Sequence, residues 1–253
     1  FGKGKISVTL IILMIILVVL LARQSFLPFA SDSHTEFLVF TLNPSTHHSD
    51  IANKYDENYF LADMWGSYGS GEGEFNYPGS VSAGPFGYIY VGDANNYRVQ
   101  TFTNSSAFVR TWYAEFPLSI TVDPDGFYIY VCNTDNVSVY TAEEGYFVRS
   151  WGDFAFTQGI ALNPTGRYVY VVDNWNNRVQ KYDIYGNLEK EWGKTGSGDG
   201  EFSGPRGVAV DSNGYVYVTD AGNNRVQKFD SNGNFITMWD VKDVLPGQLG
   251  GAG

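Results

Sequence analysis

Residues 169–182 read VYVVDNWNNRVQKY, and residues 216–229 read VYVTDAGNNRVQKF. A rougher copy, IYVGDANNYRVQTF, occupies 89–102. In each copy an alternating apolar run ends at Asp, crosses a short Asn-rich turn, and resumes at Arg. That is the pattern of two strands joined by a tight turn. IYVCN at 129–133 supplies a fourth copy once the tyrosine–valine pairs are aligned. The closing residues Asp93, Asn133, Asp173 and Asp220 then lie 40, 40 and 47 positions apart. A period of forty-odd residues marks a repeat architecture and decides the fold.

Each copy sits in a larger unit. A shorter alternation and a turn precede it: PGSVSAGPFG (78–87), SITVDPDG (119–126), GIALNPTG (159–166) and GVAVDSNG (207–214). A third strand follows, and then a fourth that ends in Trp112, Trp151, Trp192 or Trp239. Four short strands per unit predict an all-β chain built as a β-propeller, because an alternating blade buries its faces only against its neighbours. Unequal spacing follows from the linkers: WGSYGSGEGEF and WGKTGSGDGEF are long and glycine-rich, whereas WYAEF and WGDFAF are short.

Taken together, W-G-x-x-G-x-G-x-G-E-F, P-x-G-V-A-V-D-x-x-G and V-Y-V-x-D-x-x-N-N-R-V-Q-K-F resemble the NHL repeat over roughly residues 53–250. The resemblance implies an NHL-type propeller, commonly six-bladed, that acts as a binding or scaffold platform. In some relatives such a ring carries a lyase or hydrolase site. The expected division is a hydrophobic helix at 1–30, a linker at 31–52 and the propeller at 53–253. Within the propeller, a half-blade at 53–65 precedes blades at about 75–112, 115–151, 156–192 and 202–239, and 240–253 leads towards a further blade. Four blades and a half form an open arc on this reading, exposing the faces of the end blades.

Lys3 and Lys5 precede an apolar run from Ile6 to Ala22. As a helix that run spans roughly 25 Å, the short limit for a membrane crossing. The segment reads either as a cleaved signal peptide or as a retained anchor through residues 6–22, and both place the remainder outside the cytoplasm, secreted or membrane-anchored. Net charge is −11, and residues 1–30 contain Lys3, Lys5 and Arg23 but no acid. The acid therefore lies entirely after residue 30, where it would repel phosphate backbones and excludes nucleic acid as a partner. The partners expected instead are a protein, a peptide or a glycan at the cell surface. With Cys132 the single cysteine, no internal disulfide exists.

In D-x-x-N-N-R a carboxylate and a guanidinium face each other across the turn. Asp93/Arg98, Asp173/Arg178 and Asp220/Arg225 are therefore read as structural clips. Blade two departs from the phrase, with Asn133 in place of the Asp and Ser138 read in place of the Arg. No catalytic constellation is evident. His34, His47 and His48 all precede the first full blade, so no histidine triad can be built from propeller residues, and no metal site or resident cofactor is assigned. A gluconolactonase-like enzyme would need Glu, Asn and Asp around a divalent cation on the axis. The obvious carboxylates instead sit in turn signatures such as Asp123-Pro124-Asp125-Gly126.

Residues that break the repeat on the face of the second-to-third-strand turns form the candidate ligand surface: Trp175, Tyr97, Asn95, Asn96, Asn176, Asp135, Asn223 and Arg206. An aromatic among asparagines suits stacking plus amide hydrogen bonds. The sequence thus points to an exported binding or scaffold propeller that is not an enzyme. Two alternatives stay open: a metal-dependent hydrolase or lyase using axial carboxylates, and a surface filament or layer subunit.

Overall fold

The computed structural model describes residues 64–240. These form four antiparallel, four-stranded sheets arranged as propeller blades. A short parallel pair, β1 (Ser67–Tyr68) and β2 (Glu74–Phe75), lies in the glycine-rich linker before them. Blade one is β3 (Pro78–Ala83), β4 (Tyr88–Asp93), β5 (Arg98–Thr103) and β6 (Phe108–Tyr113). Blade two is β7 (Ser119–Val122), β8 (Tyr128–Cys132), β9 (Val137–Thr141) and β10 (Phe147–Trp151). Blade three is β11 (Thr157–Leu162), β12 (Tyr168–Asp173), β13 (Arg178–Asp183) and β14 (Leu188–Trp192). Blade four is β15 (Pro205–Val210), β16 (Val216–Asp220), β17 (Arg225–Phe229) and β18 (Phe235–Asp240).

First strands pack side by side, β3 on β7, β7 on β11 and β11 on β15, so they line the axis. The described residues form the four full blades expected within this chain. Of the half-blade expected at 53–65 and the linker expected at 240–253, all but Met64, Trp65 and Asp240 lie outside the described residues, as does the apolar helix expected at 1–30. Among the described residues no helix is long and apolar enough to cross a membrane.

Strand alternation explains the stacking. On β8, Ile129 and Val131 point into the cluster that holds Tyr90, Val99 and Trp112 of blade one. Their neighbours Tyr130 and Cys132 point the other way, against Val169, Val171 and Tyr182 of blade three. One strand thus feeds two cores because its side chains alternate with period two. Fourth strands lie outermost, and β14 is exposed along nearly its whole length.

The terminal tryptophans join blade to blade. Trp112, Trp151 and Trp192 each cover a glycine in the third-to-fourth-strand turn of the next blade: Gly145, Gly186 and Gly233. All three glycines have positive φ, between +72° and +94°. A Cβ there would lie 2.2, 2.7 and 2.6 Å from the indole of its tryptophan. Glycine is needed twice over, for the left-handed backbone and for the indole.

The repeated phrase is a socket for the linker. Arg98, Arg178 and Arg225 pair with Asp93, Asp173 and Asp220 at 2.8, 2.9 and 2.8 Å, with each aspartate side chain 0% exposed. The other oxygen of each aspartate accepts the N–H of Asn76, Ala155 or Ser203, which fixes the chain entering that blade. Arg225 also donates to the carbonyls of Ser197, Gly198 and Glu201. Arg98 does the same to Ser70, Gly71 and Glu74. Gln100 and Gln227 complete the grip, each donating to the glutamate carbonyl and accepting from a linker glycine. Blade three has the short linker and lacks those carbonyls. There the Glu191 carboxylate substitutes, accepting from Arg178 at 2.9 Å and Gln180 at 3.0 Å.

Register corrects the reading of blade two. Tyr130 pairs with Val139, as Tyr170 pairs with Lys181. Ser138 therefore occupies the position of Gln180, and Asn136 that of Arg178, because this turn is shorter. Asn133 accepts from the N–H groups of Asp135 and Asn136, while Ser138 donates to the Asn136 side chain. A neutral amide network replaces the ion pair.

Candidate functional site

The turn-face residues do not converge on a pocket. Asn96, Asn176 and Asn223 donate their amides to the clip carboxylates Asp93, Asp173 and Asp220 at 2.9, 2.8 and 2.9 Å. Asn95 donates to Asn76, and Asp135 accepts from Asn136. Tyr97 sits in a left-handed turn (φ 54°), with its ring 6.0 Å from Phe116. Trp175 is 70% exposed and stacks on Phe156 at 5.3 Å and 23°. Arg206 lies on β15, where Gly159 permits close approach: a Cβ there would meet the Arg206 carbonyl at 2.5 Å. None of these eight side chains lines either of the two cavities described below.

The axis opens at the opposite face, among the first-to-second-strand turns. A cavity of about 340 Å³ is bounded by the ends of all four first strands, from Ala83, Val122, Leu162 and Val210. Pro85, Pro124 and Pro164 surround its mouth, and Asp123 is the one ionisable side chain that lines it among the described residues. Asp123 is half-buried, and its Oδ1 accepts the Tyr128 N–H at 2.9 Å. The sequence signal was present, but the D-P-D-G turn accounted for this aspartate without a site. It does both: one oxygen closes the turn, and the residue faces the axis.

Its equivalents in the next two blades are occupied elsewhere. Asn163 lines the cavity, yet its Oδ1 accepts the N–H groups of Arg167 and Tyr168, each at 2.9 Å. Asp211 is 6% exposed and turned inward, where its Oδ2 accepts from the Tyr217 hydroxyl at 3.0 Å. Burial, and then the Asp211 carboxylate, push the Tyr217 phenol above the ordinary tyrosine range. That pair is a closed structural unit. Among the described residues no three His, Cys, Asp or Glu side chains converge. With the Asn163 oxygen already engaged, this donor set does not fit a divalent cation.

The family described as SMP-30/Gluconolactonase/LRE-like region matches residues 31–246, which include all four blades. No curated protein matches the sequence. Among solved structures, hydrazine synthase from Kuenenia stuttgartiensis is similar at 19% identity with a TM-score of 0.55. The alignment covers 68% of this chain and 52% of that one, so the chain spans about half of that protein's length, and the likeness is one of fold. The family match overturns the NHL assignment. Its physical basis is visible in the socket: D-x-x-N-N-R-V-Q and the G-E-F linker are the two halves of a hydrogen-bonded closure and report blade construction. The expectation of a non-catalytic binding or scaffold propeller is set aside with it, since gluconolactonase stands in the family's description. By sequence this chain belongs to the SMP-30/gluconolactonase/LRE-like family.

Proposed function

We propose that this propeller is the catalytic domain of a hydrolase that opens lactones or comparable esters with water in the axial cavity. The observation that carries the reading is the family match across residues 31–246. The cavity supports it: apolar strand ends surround the Asp123 carboxylate, whose position is fixed by the Tyr128 N–H.

In the proposed step Asp123 takes a proton from water as the water oxygen bonds to the acyl carbon. The carbon–oxygen bond of the ester then breaks, and the proton passes to the departing alkoxide, which restores the carboxylate. General-base assistance of this kind contributes roughly 10²–10⁴-fold. Because the donor set around the cavity does not fit a divalent cation, no part of the step is assigned to one.

The test is hydrolysis of gluconolactone and simple aliphatic lactones by the purified chain, with and without chelator. Turnover that survives chelation and falls about a hundredfold or more in Asp123→Asn supports the assignment. Absence of hydrolysis, or an Asp123→Asn variant as active as the parent, overturns it. We also propose export from the cytoplasm, on Lys3, Lys5 and the run Ile6–Ala22 alone. A periplasm-dependent reporter fused after residue 253 and staying inactive would refute that.

A further inference from the structure

A second cavity, of about 510 Å³, lies between blades one and two, away from the axis. Its character follows from comparing the same place in the other blades. In blade three the Lys181 ammonium rests 4.0 Å from the centroid of the Tyr168 ring and 5.9 Å from that of Tyr170. It also donates to the Ser231 carbonyl in the adjoining turn of blade four, at 3.1 Å. In blade four Lys228 sits over Tyr215 and Tyr217 at 3.9 and 5.2 Å. Blade two has Val139 at this position, and Arg149 reaches across from β10 to donate to the Ile184 carbonyl of blade three.

Blade one keeps the seat and lacks the lysine. Tyr90 pairs with Thr101 on β5, as Tyr170 pairs with Lys181 on β13. Tyr88 and Tyr90 supply the ring faces, and Ala142, the strand-register counterpart of Ser231 and Ile184, lines the same groove. Thr101 is 2% exposed, and its hydroxyl has no hydrogen-bond partner among the described residues. Glu143 and Glu144, both exposed, also line the groove.

We propose that this groove binds the primary alkylammonium group of a small aliphatic monoamine, seated where blade three carries the Lys181 ammonium. Tyrosine faces attract a desolvated cation, a backbone carbonyl accepts one of its N–H groups, and the carboxylates balance its charge. Arg110 also lines the groove, so the cation must share it with a guanidinium. The two glutamates exceed the Arg110 charge by one, and a single seated ammonium balances it. The site is independent of the axial cavity and of any hydrolysis there.

Calorimetric titration of the full chain with 1-aminopentane tests the assignment. Saturable binding is expected in the parent. Thr101→Lys should abolish it by placing the protein's own ammonium in the seat. Glu143→Gln/Glu144→Gln, which leaves the seat's shape intact, should weaken it roughly tenfold. Arg110→Gln should bind as well as the parent or more tightly. No binding by the parent overturns the proposal, as does a folded Thr101→Lys that binds undiminished. Loss of binding in Arg110→Gln would also overturn it, since removing a neighbouring positive charge relieves a cation held in that seat. If Thr101→Lys does not fold, the glutamate variant decides: unchanged affinity there refutes the ammonium seat.

Discussion

Nε of Arg225 lies 2.8 Å from Oδ2 of Asp220, with the arginine side chain 7% exposed and the aspartate 0%. The equivalent Arg178–Asp173 pair is as short, at 2.9 Å, but its arginine is 27% exposed. Arg225 also holds three linker carbonyls, whereas Arg178 holds the Glu191 carboxylate. Truncating one partner of a buried pair strands the other charge at a cost of about 3–5 kcal/mol, and water relieves part of that at a more open site. Arg225→Ala should therefore lower stability more than Arg178→Ala, in urea unfolding followed by tryptophan fluorescence. Trp175→Ala should cost least of the three, because its ring is 70% exposed.

The tryptophan–glycine contact between blades gives a separable test. Gly186 has φ +94°, and a Cβ there would meet Trp151 at 2.7 Å. Gly214 has φ +84° with nothing within 4 Å of a Cβ. Both Ala substitutions incur the left-handed backbone cost of about 1–2 kcal/mol. Gly186→Ala alone must also displace an indole, which adds about 1–3 kcal/mol of overpacking. Gly186→Ala should thus unfold at clearly lower urea than Gly214→Ala and alter the near-ultraviolet tryptophan signal. Equal midpoints would show that the indole contact between blades yields freely.

Blade grammar was legible because alternation, turn residues and tryptophan spacing are all local. The sequence could name Asp93, Arg98, Asp173, Arg178, Asp220 and Arg225 as pairs because each member lies five residues from the other. It could not show that the guanidiniums also hold linker carbonyls 24 to 28 residues away. Ser138 was misplaced because a shortened turn moves every later residue in register, and only strand pairing reveals the shift. Asp123 was legible as a turn former and invisible as an axial residue, since facing the axis depends on three other blades. The family was misread for a related reason: the socket residues carry the strongest pattern, and they describe how blades close.

Cys132 sits at 0% exposure between blades two and three. Burial pushes its thiol up to about 12, with Thr157 offsetting a small part through a hydrogen bond. The thiolate is the reactive form, so the native protein should resist a thiol-specific disulfide reagent at pH 8. Denaturant should release one equivalent of thiol, the single cysteine of the chain. Rapid native labelling would mean that blades two and three separate readily.

Acid should weaken the turns between third and fourth strands. Asp230 accepts the N–H groups of Asn232 and Asn234 at 2.8 and 2.9 Å, and the Asn234 side-chain amide at 2.7 Å. Asp183 is held the same way by Tyr185 and Asn187. Desolvation, the largest single influence, raises both carboxyls, but the hydrogen bonds together outweigh it, and both fall below the ordinary aspartate value of 3.8. A depressed folded-state value means that protons bind the unfolded chain more readily. The stabilisation is therefore complete above the unfolded value and drains as pH falls through the folded one. Asp230→Asn keeps an acceptor oxygen for the two backbone N–H groups and removes the charge, which also faces the Lys181 ammonium. At neutral pH the variant should unfold at lower urea than the parent. Well below pH 3.8 both carry a neutral side chain there, and their midpoints should converge. A gap of constant size across that range would assign the loss to altered turn geometry and remove charge from the account.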